Sequence, residues 1–334
     1  MFYVSVLMNL KFKEYLLENT QSVACEEVEI IQSLWSGYGK ISRYELTGSL
    51  HRTVVVKYIS PCSSGEHPKG WDTDNSHNRK VKSYEVETHW YEQWNDRCPT
   101  QARVPHFIGS FSLGADQWII LEDLDANFSV RKQKLDIPEV KNCLRWLANF
   151  HGTFLGCNPT GLWQEGTYWH LGTRPDEYDK MEHPTLKAKA HAIDALLNQC
   201  SYQTIVHGDA KVANFCFSEN GEEIAVVDFQ YVGGGCGMRD VAYLLGSCLS
   251  SDACEVHDGE LLDYYFIELA KTCALSASTF CELEEEWRRM YPVACADFMR
   301  FLFGWMPTHQ KVNAYNLKMV EKVLDSIYTK ILIP

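Results

Sequence analysis

Val206-His207-Gly208-Asp209-Ala210-Lys211-Val212-Ala213-Asn214, followed by Val227-Asp228-Phe229-Gln230, is the stretch on which the reading of this chain turns. Two carboxylates and an amide stand at fixed intervals: Asp209 to Asn214 is a step of five, and Asp209 to Asp228 a step of nineteen. The longer interval holds a short strand at 214–217, a polar turn at 218–223 and a return strand at 224–227 that delivers Asp228 beside Asp209. Phosphoryl transfer asks for this set. One Asp orients an attacking hydroxyl and accepts its proton, an Asn five residues on holds a metal, and a second Asp bridges the metal to phosphates. His-Gly-Asp alone arises by chance, and an Asp at a strand end is ordinarily a turn residue. The weight rests on the two motifs together, in their strand and turn context.

Composition narrows the rest. At 334 residues and 46% hydrophobic content, the chain is long enough for two lobes with separate cores. A formal charge of -13 opposes nucleic acid and anionic membranes as partners, since both are polyanions. Thirteen cysteines is an odd number, and none forms a CxxC pair, so they read as buried thiols of a reducing compartment rather than a disulfide framework. The apolar start at 1–10 lacks a cationic n-region and runs into Lys11, Lys13 and Glu14, against a secretory signal. No apolar run reaches the roughly 20 residues that span a bilayer. The expected location is cytoplasmic.

Along the chain, mixed apolar and acidic positions at 11–34 suit one or two short helices, and Trp35-Ser36-Gly37-Tyr38-Gly39-Lys40 reads as a glycine-containing turn. Strands are expected at 41–46 and 53–59, joined as a hairpin by Thr47-Gly48-Ser49. A polar loop at 61–78, a helix at 80–94 and a strand at 118–122 follow. Helices are then expected at 138–155, 183–198, 241–249, 261–275, 282–303 and 316–333. Strands first and helices after imply an α+β chain, with a sheet-containing lobe at 1–124 and a mostly helical lobe at 125–334.

With these residues in view, the chain resembles the protein-kinase-like small-molecule phosphotransferases. That group holds aminoglycoside phosphotransferases, choline and ethanolamine kinases, and the ecdysteroid kinase-like proteins, the last being the nearest likeness. The resemblance runs through Val54-Val55-Val56-Lys57, the segment from Arg79 to Glu87, Ile120-Leu121-Glu122-Asp123-Leu124, Leu147-Ala148-Asn149-Phe150-His151 and the opening motif. It implies a two-lobed protein-kinase-like fold and ATP with Mg as cofactors. Lys57 would contact the α and β phosphates and pair with a helix glutamate. Glu87 is the preferred partner, because Glu87-Thr88-His89-Trp90-Tyr91 resembles the family's Glu-x-x-aromatic-aromatic helix, and Glu85 is the alternative; residues two apart face different sides of a helix, so one of the two reaches Lys57. Gly37 and Gly39 would cover the phosphates with backbone N–H groups, although no third glycine follows and a plain hairpin turn accounts for them as well. Glu122 and Leu124 match the segment whose backbone binds the adenine edge. Asp209 would be the base, Lys211 would touch the γ-phosphate, and Asn214 and Asp228 would hold the metal.

Departures from the protein-kinase pattern narrow the substrate. Gln230 stands where protein kinases carry glycine, and eleven residues separate Asp228 from Asp240, too few for a peptide platform. Asp240 serves as a helix N-cap or, by the resemblance, as a brace for the catalytic loop. His151 and His207 lie among apolar neighbours and read as core histidines. The expected acceptor is then a small hydroxylated molecule, cationic or apolar; acceptor pockets in the resembling fold are built from the helical lobe, where this chain offers Trp163, Tyr168, Trp169, His170, Phe298, Phe301, Phe303 and Trp305, although aromatics at helical spacing are more often core than pocket. A pseudokinase acting by interaction and a protein kinase are the competing readings.

Overall fold

A computed structural model describes residues 2–34, 37–61 and 74–328. The chain divides into two compact units, Met1–Asp96 with Val104–Asn127, and Arg97–Arg103 with Phe128–Pro334. In the first, helix α1 (Phe2–Thr20) precedes strands β1 (Ala24–Ser33), β2 (Gly39–Thr47) and β3 (Thr53–Ile59), then helix α2 (Asp74–Gln93) and strands β4 (Phe107–Leu113) and β5 (Asp116–Glu122). The strands form one sheet in the order β1-β2-β3-β5-β4, with every neighbouring pair antiparallel. Alternation along β3 decides what faces where. Val54 and Val56 join Phe12, Leu16, Tyr44, Leu46, Trp118 and Ile120 in a core under α1, where Phe12 stacks on Trp118 at 5.3 Å. Lys57, one step out of phase, is buried on the other face.

Several elements differ from the sequence expectation. The segment read as short helices contains β1, an edge strand exposed along most of its length. Two of its three glutamates, which suggested helix, are paired across the sheet: Glu27 with Lys40 at 2.5 Å and Glu29 with Arg43. Two irregularities in register, at Glu27/Glu29 and Ile30/Gln32, break the alternation by which a strand is recognised. Strand β4 was not foreseen, and α2 begins at Asp74, inside the segment read as loop. Trp35, Ser36 and positions 62–73 of that loop lie outside the described residues.

The second unit opens with β6 (Val130–Arg131) and α3 (Ile137–Thr153), followed by α4 (Pro175–Lys180), α5 (Pro184–Asn198) and four short strands: β7 (Thr204–Val206), β8 (Phe215–Phe217), β9 (Ile224–Val226) and β10 (Gly233–Gly235). Helices α6 (Met238–Cys248), α7 (Ser251–Thr272), α8 (Ala277–Trp305) and α9 (Ala314–Tyr328) complete it. Local signals set the helix starts. Asp136 and Glu139 form a reciprocal capping box at α3, and Ser250 and Ser276 cap α7 and α8. Apolar spacing on α3 buries Val140, Cys143, Leu144, Leu147, Ala148 and His151. Two small antiparallel assemblies, β6-β8-β9 and β10-β7, carry the loops that matter. The described cysteines are all free thiols. Among the described residues no helix is long and apolar enough to cross a membrane.

Candidate active site

The loop after β7 is held from below by one carboxylate. Asp240, fully buried in the first turn of α6, accepts the backbone N–H of His207 at 2.6 Å and of Gly208 at 2.9 Å, with His151 Nε2 at 3.1 Å. It is therefore not an N-cap, a position held by Gly237. His207 ties the loop to the hairpin: Nε2–H donates to the Val227 carbonyl at 3.1 Å and Nδ1 accepts the Asp209 N–H at 3.2 Å, which fixes the tautomer. Burial lowers its pKa, so the ring is neutral at neutral pH. Gly208 has φ +81°, and a Cβ there would lie 2.1 Å from the Tyr231 carbonyl oxygen. Only glycine fits this turn.

From that base, β8 and β9 bring the polar groups together. The Val227 N–H donates to the Asn214 carbonyl at 3.1 Å, closing the hairpin just before Asp228. Asp228 itself sits at φ +72°, left-handed backbone that costs a non-glycine residue about 1 kcal/mol. Asn214 Nδ2 donates to the Asp209 carbonyl at 2.8 Å and to Asp209 Oδ2 at 3.3 Å, leaving its own Oδ1 as the oxygen for a cation. Lys211 Nζ also donates to Asp209 Oδ2, at 2.6 Å. In this structure the Lys211 ammonium thus rests on the carboxylate. Asp209 Oδ1 is buried without a hydrogen bond among the described residues, with the Tyr243 phenol close enough that, after burial, the carboxylate helps to raise its pKa. Burial first, then the Asp228 charge, pushes the Asp209 carboxyl above the ordinary carboxylate range, against the pull of Lys211. For Lys211, burial works downward, but the Asp209 and Asp228 charges outweigh it and raise the pKa. One Mg ion needs few protein ligands, because water and phosphate oxygens complete its octahedron. The Asn214 amide oxygen and the Asp228 carboxylate are hard donors of the right kind.

In the first unit, Lys57 Nζ meets Glu87 Oε2 at 2.5 Å, both side chains buried. Glu85 pairs instead with Lys82 at 3.6 Å on the exposed side of α2. The pattern follows from helical spacing, since Tyr84, Glu87 and Tyr91 share the buried face. The Glu122 N–H donates to the His106 carbonyl at 2.9 Å, and Leu124 opens a short 3-10 turn, Leu124–Ala126, whose first carbonyl takes the Asn127 N–H. Gly39 has its own explanation: a Cβ there would lie 2.0 Å from the Tyr58 carbonyl oxygen across the β2–β3 pair. Gly37 stands at φ +73° near the turn, with open space around it.

Comparison with known proteins bears on the same residues. Residues 168–277 match the ecdysteroid kinase-like family, a segment that contains the loop, the hairpin and α6. No curated protein matches the chain by sequence. Among solved structures, choline kinase from Cryptosporidium parvum is similar with a TM-score of 0.55 and 13% identity, over 93% of this chain and 92% of that one. Amicoumacin kinase hAmiN, solved with AMP-PNP, Ca2+ and its namesake ligand, is similar with a TM-score of 0.50 and 11% identity, over 97% and 96% of the two chains. The fold is that of the protein-kinase-like small-molecule kinases.

Within this kinase-like chain the aromatic side chains named from sequence are partly assembled. Tyr168 meets Phe301 edge-on at 5.5 Å, and Trp169 meets Phe298 at 5.1 Å. Trp163 and Tyr168 contact each other's neighbour Tyr231 at 6.1 and 5.9 Å. Trp305 stacks on Phe301 at 5.6 Å, whereas Phe303 turns aside to His183 at 5.0 Å. His170 is buried, and burial lowers its pKa to about 3, which removes it as a proton donor. Three residues missed from sequence complete the cluster. Tyr243 on α6 places its hydroxyl 3.2 Å from that of Tyr168, and both phenols feel the Asp209 charge. Arg174 lies over the Tyr168 and Phe301 rings at 5.6 and 5.1 Å. Lys311 lies 4.3 Å from the Tyr243 ring centroid. Tyr243 is three residues after Asp240 on one helix, a spacing that offered a signal; Lys311, in the turn between α8 and α9, offered none.

Proposed function

We propose that this chain is an ATP-dependent phosphotransferase that transfers the γ-phosphoryl group to a hydroxyl of a small organic molecule. The observation that carries the reading is the Asp209 carboxylate. One oxygen is held by Lys211 and Asn214, and the other is buried without a hydrogen bond among the described residues. The second oxygen is where an acceptor hydroxyl would donate and then lose its proton. A carboxyl raised by burial is a stronger base than an exposed one, which suits it to that task. Mg-ATP supplies the transferable group and the cation that offsets its charge.

On this reading Lys57, oriented by Glu87, contacts the α and β phosphates, and Asn214 and Asp228 bind the metal. Backbone of Glu122 and Leu124 takes the adenine edge, with Gly37 and Gly39 near the phosphates. Lys211 leaves Asp209 for the γ-phosphate when nucleotide is bound, neutralising charge as it moves to the leaving group. The short passage from Asp228 to Asp240 is occupied by β10, paired to β7, which favours small acceptors over peptides. Incubation with a metabolite extract, ATP and Mg, followed by mass spectrometry, tests the reading. A phosphorylated small molecule that disappears with Asp209→Asn is the expected result. Phosphorylation of generic protein substrates alone, or the same product from Asp209→Asn, would overturn it.

A further inference from the structure

Tyr243 on α6 and Phe298 on α8 stand with ring centroids 5.0 Å apart and planes at 70°. The place in front of them is taken by the Lys311 ammonium, 4.3 Å from the Tyr243 centroid and 5.3 Å from that of Phe298. Paired aromatic faces are a common receptor for organic cations. Here the chain supplies the cation itself. The turn that carries it is pinned on both sides: the Lys311 N–H donates to His309 Nδ1 at 3.1 Å, and its carbonyl accepts from Asn316 Nδ2 at 2.9 Å. Asn316 is in turn buried, its N–H donating to Asn313 Oδ1 at 3.0 Å.

No oxygen among the described residues accepts a hydrogen bond from Lys311 Nζ, although the side chain is half-buried. An ammonium carries three donors, and Lys311 Nζ spends none of them on a protein oxygen among the described residues. Against burial, the Asp209 charge works to raise the Lys311 pKa, yet Asp209 Oδ2 is already engaged by Lys211. The ammonium thus lies against Tyr243, whose hydroxyl is 3.2 Å from that of Tyr168.

We propose that Lys311 is a specificity-determining residue of the acceptor site, closing the Tyr243–Phe298 box to cationic acceptors and pairing with an anionic oxygen, such as a carboxylate, on a small hydroxylated acceptor. This rests on the phosphotransferase reading above and sharpens it. The net charge of -13 favours cations at long range, but the group that meets the acceptor at close range is positive. An acceptor anion supplies the missing partner, and a quaternary amine would have to displace a tethered ammonium.

The test uses the full chain and probes that share a scaffold and hydroxyl but carry an anionic, neutral or cationic group: 4-(hydroxymethyl)benzoate, its methyl ester and 4-(hydroxymethyl)benzylamine, with the analogous aliphatic and steroid trios. Binding is read by calorimetry and transfer by mass spectrometry. The acid of at least one trio binds about 10- to 100-fold tighter than the matching amine, the difference a charged hydrogen bond makes. Lys311→Met lowers the acid-to-ester affinity ratio by a similar factor and raises KM for the acid more than it lowers kcat. Lys311→Arg, which keeps the charge, retains most of the ratio and controls for folding. Acids that bind no better than amines in any trio, or a ratio unchanged in Lys311→Met, overturn the proposal. Acid preference without phosphoryl transfer leaves the charge preference standing and counts against the phosphotransferase reading; transfer to amines does the reverse.

Discussion

Replacing Lys311 with methionine is expected to stabilise the protein, a direction opposite to that of most substitutions in a packed site. Burial first, with Lys211 adding to it, lowers the Lys311 pKa from 10.5 to about 8, while Asp209 and the Cys248 thiol oppose the fall. His309, the other titratable group beside it, is itself depressed by burial and by Lys311. At about 1.4 kcal/mol per tenfold change in proton affinity, the fall means that the charged lysine costs the native state ~3 kcal/mol. Contact of the ammonium with the Tyr243 and Phe298 faces returns about 1 kcal/mol. Methionine keeps the stem length and the contact with the rings, so the net gain is ~2 kcal/mol. The pH dependence follows from the sign. Folded lysine has the lower pKa, so the unfolded chain binds more protons between about pH 8 and 10.5, and wild-type stability rises there relative to the variant. Below about pH 8 the variant holds its full advantage, and near pH 10.5 the advantage is gone. Urea denaturation of both proteins at pH 7, 9 and 10.5 measures this. A variant no more stable than wild type at pH 7, or a difference that does not shrink with rising pH, would refute the reasoning.

Three further outcomes follow from the geometry. Asp209→Asn should cut transfer by about two orders of magnitude or more and leave Mg-ATP affinity nearly intact, whereas Asp228→Ala should weaken both, as read by turnover and by the nucleotide-induced rise in melting temperature; equal effects on binding would show that the two carboxylates do not divide the work. Asp240→Ala removes the acceptor for the His207 and Gly208 amides and should cost about 2 kcal/mol or more, with faster hydrogen exchange at those two amides than elsewhere in the loop. Glu87→Ala strips the carboxylate from a buried lysine and should destabilise the chain by about 3 kcal/mol, seen as a lower denaturation midpoint; a loss under about 1 kcal/mol would mean that Lys57 re-pairs.

What could be read from sequence, and what could not, divides by the range over which each feature is assembled. The Asp209–Asp228 hairpin is local: a turn between two short apolar runs fixes its return, and Asn214 and Asp209 meet because they are five residues apart on one bend. Lys57 and Glu87 were reached through the family resemblance, and their pairing agrees with strand alternation along β3 and helical spacing along α2. The edge strand β1 was not, because solvent on both sides removes the apolar alternation and its cross-strand glutamates imitate a helix surface. Asp240 was half legible, as its position at a helix start is local whereas its partners His207, Gly208 and His151 come from two other elements. Lys311 lies at the far end of the same scale. Its surroundings are built from α6 and α8, so in sequence it is an ordinary turn lysine between two helices. A chemical step that needs a base and a metal within a few ångströms can be encoded in one hairpin. Recognition of an acceptor needs walls from several helices. In this chain the candidate base and metal ligands therefore stand close together in sequence, whereas the Lys311 ammonium meets its rings only where α6, α8 and the turn between α8 and α9 converge.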